Sequence, residues 1–394
     1  MPLKDLAEIV RRLATAVDFA DLAQAAKALA KAPDHPQALY DFGYSCVERG
    51  VSFLGVPALR EALRQLPDAR PLRTELISAL EKEYRHAEAV TVLGELGAEL
   101  PMWPERYLLA RNCLLSGQFS RARDAFARLP APEDDTWLEA HGRLTDMLRR
   151  AERATMAGPL DDRDLRGWHL TLTGGYLATL SPYGFESGMN GRYAYLQDTY
   201  ALCRGGINRL AIALRAAGRE PQSVTVLPGR SDRILGLATA EVLGLPAEPY
   251  ASQRRDTVVV AYDLNEIDDD VADSLRERPE GQILFEHATC WTDPPVAAAD
   301  VSTLLAQTVV APWGTRLRMG EDGPERVPPD TREEAEIAAE IVRSDATPDP
   351  GDGETPTDTD AMFSAFVAAT AQGWPTGPRP NIASPGPVPS SKFA

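Results

Sequence analysis

The run Thr257-Val-Val-Val-Ala-Tyr-Asp-Leu-Asn-Glu-Ile-Asp-Asp-Asp270 places an apolar strand directly before a cluster of carboxylates. In open α/β sheets ligands bind beyond the carboxyl ends of strands, so Tyr262, Asp263, Asn265 and Glu266 are ligand-binding candidates. Hard oxygen donors suit Mg²⁺, and Asp263, which closes the strand, is the residue expected to meet it if any cofactor is used; otherwise no cofactor is expected. Asp268, Asp269 and Asp270 read as the cap and first turn of a helix, where carboxylates oppose the dipole favourably. A second strand, 223–227, runs into Pro228-Gly-Arg-Ser-Asp-Arg233. Gly229 permits close backbone approach, Ser231 or Asp232 can cap the helix that follows, and Arg230 and Arg233 add positive charge near its N-terminus. These five residues read as an anion-binding loop. A third stretch, 180–195, is rich in Gly and aromatics and long enough to be a lid or binding loop. There Asn190, Arg192 and Tyr193, with Tyr183, Phe185 and Tyr195, would flank a ring or a peptide side chain. No Ser-His-Asp order, HExxH or GxGxxG is present, so no residue is assigned as catalytic. His169 and His287 read as core groups of strands, and Trp291 and Trp313 as packing.

The two strand-and-loop units together resemble the core of a type I phosphoribosyltransferase. In that family the first loop binds pyrophosphate. The later strand ends in two acidic residues and a Thr- and Gly-rich turn that cradles a 5′-phosphate. Here Tyr262-Asp263 stands where the acidic pair belongs, and Asn265-Glu-Ile-Asp268 replaces the turn. That exchange removes the glycine of a backbone nest and adds carboxylates that repel an anion. The resemblance therefore implies a degenerate domain that keeps the fold and does not bind phosphoribosyl pyrophosphate in the family's manner.

Residues 1–157 read as helix throughout. Tyr84-Arg-His-Ala-Glu-Ala-Val90 matches Phe119-Ser-Arg-Ala-Arg-Asp-Ala125 at a shift of 35 residues, close to the tetratricopeptide period of about 34. Preceding helices at 38–49, 71–83 and 104–116 fit the same scheme, and residues 50–58 read as an irregular insertion. The resemblance implies three to four tetratricopeptide-like helical pairs in an α-solenoid, with Ala87 and Ala122 at close helix approaches. A helix at 134–156 would cap the stack. Such scaffolds grip a peptide or a partner protein on a concave face.

After Gly158-Pro159 the period changes to short β-branched runs broken by Gly, Pro and Asp. This is the signature of an α/β Rossmann-like parallel-sheet domain, placed at 158–345. Strands are expected near 169–173, 223–227, 257–262, 282–287 and 307–311. Helices are expected near 200–217, 233–244, 269–278 and 297–305, with a closing helix at 331–343. Residues 346–394 are rich in Pro, Gly, Asp, Thr and Ser and read as a disordered tail carrying a short apolar helix near 361–371.

The 394 residues, 44% of them hydrophobic, suffice for two cored domains. A net charge of −17 argues against nucleic acid and anionic membranes as partners. The four cysteines form no CxxC pair and read as buried, reduced thiols. No apolar run or leader-like start is seen, which places the protein in the cytoplasm. The functional expectation is a non-enzymatic scaffold or regulatory protein. Its repeats bind a protein partner, and its degenerate phosphoribosyltransferase-like domain senses a small anionic ligand or mediates assembly. The alternative is an active transferase on a nucleotide-like or phosphorylated substrate.

Overall fold

The computed structural model describes residues 2–320, 323–381 and 384–391. The chain divides into two compact units, Met1–Leu144 and Thr145–Ala394.

The first unit is helical. Its elements are α1 (Leu3–Ala16), α2 (Ala20–Lys31), α3 (Pro36–Glu48), α4 (Ser52–Gln65), α5 (Arg70–Lys82), α6 (His86–Gly94), α7 (Tyr107–Leu115) and α8 (Phe119–Ala127). Helices pack as successive pairs, α1 with α2 through α7 with α8, and each pair meets the next. The second helices of the pairs begin at Ala20, Ser52, His86 and Phe119, a spacing near the repeat period of about 34 residues. One pair has too little apolar surface to stand alone, so Leu29, Leu39, Phe42, Leu59, Leu76, Leu80 and Leu93 form a shared core and are wholly buried. Two expectations are corrected. Residues 50–58 are not an irregular insertion: 52 onward is α4, with Pro57 inside it. Ala87 faces solvent, and Ala89 is the buried counterpart of Ala122, because the helix starts align His86 with Phe119 rather than Tyr84.

Helix α9 (Leu138–Ala157) contains the division between units. The second unit continues with α10 (Leu165–Thr173), β1 (Tyr176–Leu177), β2 (Tyr193–Gln197), α11 (Tyr200–Ala216), β3 (Ser223–Val226), α12 (Arg230–Leu243), β4 (Ala247–Pro249), β5 (Thr257–Ala261), α13 (Asp269–Ser274), β6 (Ile283–Cys290) and β7 (Val301–Val310). A hairpin, β8 (Arg316–Gly320) and β9 (Gly323–Val327), precedes α14 (Glu334–Arg343) and α15 (Asp360–Thr370). The main sheet is parallel, ordered β4-β3-β5-β6-β7, with β1 and β2 both on the outer edge of β7. The chain steps from β3 out to β4 and returns to β5, so the topological switch point lies between the carboxyl ends of β3 and β5. Val258, Val259, Val260 and Ala261 are fully buried, as central parallel strands require.

Three further expectations differ from the structure. Residues 169–173 belong to α10 rather than a strand, bracketed by Asp164, whose carboxylate accepts from Gly167 N, and by left-handed Gly174. The stretch 297–305 is loop and the start of β7 rather than a helix. The described residues from 346 to 391 are no free tail. Asp358 pairs with buried Arg166 and Arg209, Phe363 lies under both guanidinium groups, and Arg379 reaches wholly buried Asp300 at 3.0 Å. Trp374 stacks on Tyr176. Buried charges and rings hold this segment despite its composition. Among the described residues no helix is long and apolar enough to cross a membrane.

Candidate functional site

The sheet brings together the two loops that the sequence singles out. The Asp232 carboxylate accepts from Tyr262 N at 2.8 Å, joining the loop after β3 to the end of β5. Helix α12 begins at Arg230 with Gly229 in the cap position, so Ser231 and Asp232 lie in the first turn rather than at the cap. Ser231 Oγ accepts from Trp313 Nε1 at 3.0 Å. Both arginines are engaged: Arg230 donates to the carbonyls of Asp330 and Arg332, and Arg233 donates to Pro228 O and to Glu334 of α14 at 2.8 Å. Glu334 therefore supplies the negative charge that an anionic ligand would otherwise bring.

The facing loop is acidic. Asp263 accepts from Asn265 N at 3.0 Å, Asn265 Nδ2 donates to Asp293 O, and Glu266 is exposed. Glu286 of β6, wholly buried, accepts from Leu264 N at 2.9 Å and from the Thr289 hydroxyl. Burial pushes its carboxyl up to about 8, and the charges of Asp263 and Asp232 add to the rise. Burial also lifts Asp232 to about 6 and Asp263 upward. Carboxylates that resist ionisation in this way mark a place where further negative charge is unwelcome.

Beside the switch point lies a hub that sequence reasoning misses. Asp198, directly after β2, accepts at Oδ2 from Tyr262 Oη (2.8 Å), His287 Nε2 (2.9 Å) and Cys203 Sγ (3.2 Å), and at Oδ1 from Thr199 N (2.7 Å). Cys203 Sγ is 3.8 Å from His287 Nε2. A nucleophilic triad needs thiol and carboxylate on opposite nitrogens of the imidazole, whereas here both address Nε2. Burial, and then the Asp198 charge, drive the Cys203 thiol well above its usual range, so it is not a ready thiolate. Asp198, Cys203 and His287 are also the one group among the described residues that gathers three metal-capable ligand atoms. Asp263 belongs to no such group.

The third predicted set occupies a different place. Strands β1 and β2 pair with successive stretches of β7, at Val301–Ser302 and Ala306–Val310, and the chain between them loops outward. Gly184, Gly188 and Gly191 take positive φ there, as does Asn190 at 48°. This break opens a pocket of about 690 Å³ lined by Ser181, Tyr183, Met189, Arg192, Tyr193 and Tyr195, with Gln307 and Thr308 of β7 at its floor. Arg192 is 2% exposed and sits over the Trp291 ring. Its guanidinium donates to the carbonyls of Pro389 and Val388, and Asn190 Nδ2 donates to Pro389 O. Among the described residues no carboxylate lies within ion-pair distance of Arg192, and burial lowers its pKa to about 10. His169, held by burial and the Arg192 charge at about 4, stays neutral nearby.

The residues of the Asp198 hub come from a loop, a helix and a strand, and no sequence spacing links them. The readable signal is limited to Asp198-Thr199 ahead of a helix, with Thr199 as its cap. Three cysteines are buried as expected, while Cys290 is half-buried. No family model, curated protein or solved structure matches this chain.

Proposed function

We propose that this is a non-enzymatic regulatory or scaffold protein. Its tetratricopeptide-like helical pairs dock a protein partner, and its α/β domain, a degenerate relative of the phosphoribosyltransferase core, senses a small anionic ligand with a planar ring. The observation that carries this reading is Arg192: a buried cation beside a tyrosine-walled pocket, held by carbonyls alone among the described residues. A guanidinium without a counter-charge in a dry site is costly, and a carboxylate or phosphate that joins it recovers that cost through charge-assisted hydrogen bonds. Tyr183, Tyr193 and Tyr195 offer faces for a ring. Catalysis finds less support, because Cys203 and His287 are wholly sealed and the switch point is acidic.

The test is a thermal-shift titration of the full chain with benzoate, inorganic phosphate and adenosine monophosphate, since a ligand of the folded state raises stability by mass action. At least one ring-bearing anion is expected to raise the melting temperature, and Arg192→Met is expected to remove the shift. No shift with any of the three, or a shift untouched by Arg192→Met, defeats the reading.

A further inference from the structure

We propose that Asp198, Cys203 and His287 form a binding site for one structural transition-metal ion, Zn²⁺ by its ligand chemistry. The inference is independent of the Arg192 pocket.

Three observations carry it. The first is geometric. Carboxylate oxygen, thiol sulfur and imidazole nitrogen, brought in by the end of β2, the first turn of α11 and the middle of β6, lie 2.9, 3.2 and 3.8 Å from one another. Bonds of about 2.0–2.3 Å to a tetrahedral zinc place its ligand atoms roughly 3.3–3.7 Å apart, so small shifts seat the ion between them. The second is the crowding at Asp198 Oδ2. Three donors, from Tyr262, His287 and Cys203, converge on one oxygen that has two lone pairs. An ion in their midst takes the place of the thiol proton and of the imidazole Nε2 proton. The third lies behind the ring. His287 Nδ1 and Thr303 Oγ1 are both buried and have no hydrogen-bond partner among the described residues. Glu286 is paired with Ser302 and Ala288 with Leu304, so His287 and Thr303 are neighbours on adjacent strands. Both face Gly206 of α11, where an added Cβ would lie 3.0 Å from Nδ1 and 2.6 Å from Oγ1. A metal on Nε2 puts the imidazole proton on Nδ1. Thr303 Oγ1 makes no hydrogen bond to Nδ1 in this structure, but it is the unpartnered oxygen on the neighbouring strand, and a small shift of either side chain would let it serve as the usual outer partner of a metal-bound histidine.

The balance closes. Cys203 gives up its proton to solvent, the histidine proton moves from Nε2 to Nδ1, and one divalent cation meets one thiolate and one carboxylate to leave a neutral cluster. Neutrality matters in a site where all three side chains are fully buried. Thiolate and imidazole together favour zinc over magnesium or calcium. Asp198, Cys203 and His287 supply three of the four positions of a structural zinc, and Tyr262 Oη, which also reaches Asp198 Oδ2, is the neighbouring oxygen that would take the fourth. Full burial leaves no position for a substrate, so the ion ties β2, α11 and β6 together.

The experiment measures zinc in the full chain purified from zinc-supplemented growth, and the spectrum after exchange with Co²⁺. One zinc per chain and a thiolate-to-cobalt charge-transfer band are expected, with the band lost in Cys203→Ser. Thr303→Val keeps the shape of the core and removes the outer acceptor, and it should weaken zinc about 10–100-fold. A wild-type chain that takes up neither ion, even when refolded with excess, overturns the proposal and leaves a metal-free hydrogen-bond hub. A cobalt band that survives Cys203→Ser overturns it equally, because the site is then elsewhere.

Discussion

The two units keep their charges in different places. In the helical repeats most ion pairs are at the surface and local, such as Arg11 with Glu8 and Arg64 with Glu61, and the core is Leu, Ala, Val and Phe. Others bridge helices, as Arg49 with Asp21 and Arg60 with Glu88 do at the surface; Arg111 with Glu81 is half-buried, and Glu105 is buried against Arg70. The α/β domain also has surface pairs but adds buried ones, Asp300 between Arg278 and Arg379 and Asp358 between Arg166 and Arg209, and it buries the Glu286 carboxyl, which resists ionisation, under Thr289. Apolar repeat packing tolerates loss in small steps. A buried pair fails abruptly, because the surviving charge stays in the dry interior. The first unit is thus stabilised by many similar contacts, the second by a few irreplaceable ones.

The largest expected effect follows from the segment after Asp345. Truncation there removes Asp358 and Arg379, orphans Arg166 and Arg209, and leaves Asp300 with Arg278 alone, at about 3–5 kcal/mol for each broken buried pair. The α/β domain should lose its near-ultraviolet circular dichroism, and a melting temperature within about 5 °C of the full chain would sink the comparison. Next is Leu39→Ala in the repeat core, expected to cost about 3 kcal/mol in denaturant unfolding of the helical unit. A loss above about 5 kcal/mol would show that the repeats are as brittle as the sheet domain.

The effect of pH is smaller and has a definite sign. Glu286, raised from 4.5 to about 8, binds its proton more tightly folded than unfolded, so it costs stability as pH rises through that window. His169, lowered from 6.5 to about 4, does the reverse, adding stability as pH rises from about 4 to 6.5. The two oppose each other up to about pH 6.5. From there to about pH 8 Glu286 remains, and stability should fall by on the order of 2 kcal/mol. Glu286→Gln should flatten that limb in urea titrations at fixed pH; an unchanged slope would exclude Glu286 as its source. The smallest effect is Arg64→Ala. This exposed pair with Glu61 should leave the unfolding midpoint where it was, and a clear drop would mean that local surface pairs matter more here than their exposure implies.

Periodicity made the successive helices of the first unit legible, since each carries an apolar stripe that packs on its neighbours. It misplaced Ala87 by two residues because the match was anchored on Tyr84, which precedes the helix. Strands β3 and β5 were legible as apolar runs, and their loops do meet at the switch point. Helix α10 was hidden by β-branched residues, although Asp164 and Gly174 marked both its ends. The segment after 345 was misread because composition reports average hydrophobicity, whereas single residues such as Asp358 and Arg379 do the anchoring. The Asp198 hub was illegible for a deeper reason. Buried strands covered on both faces lose their alternation, so nothing in β6 showed which way His287 pointed.

The margins of the sheet limit how this protein can associate. On one side the long strand β7 is covered by β1 and β2, which are only two and five residues long. On the other the outermost strand, β4, has three residues and ends in Pro249, which has no amide to donate. Short margins and proline deny an incoming strand the continuous ladder it needs. Neither a second copy nor an extended peptide finds a long continuous ladder at the margins of this main sheet, so strand addition is disfavoured there.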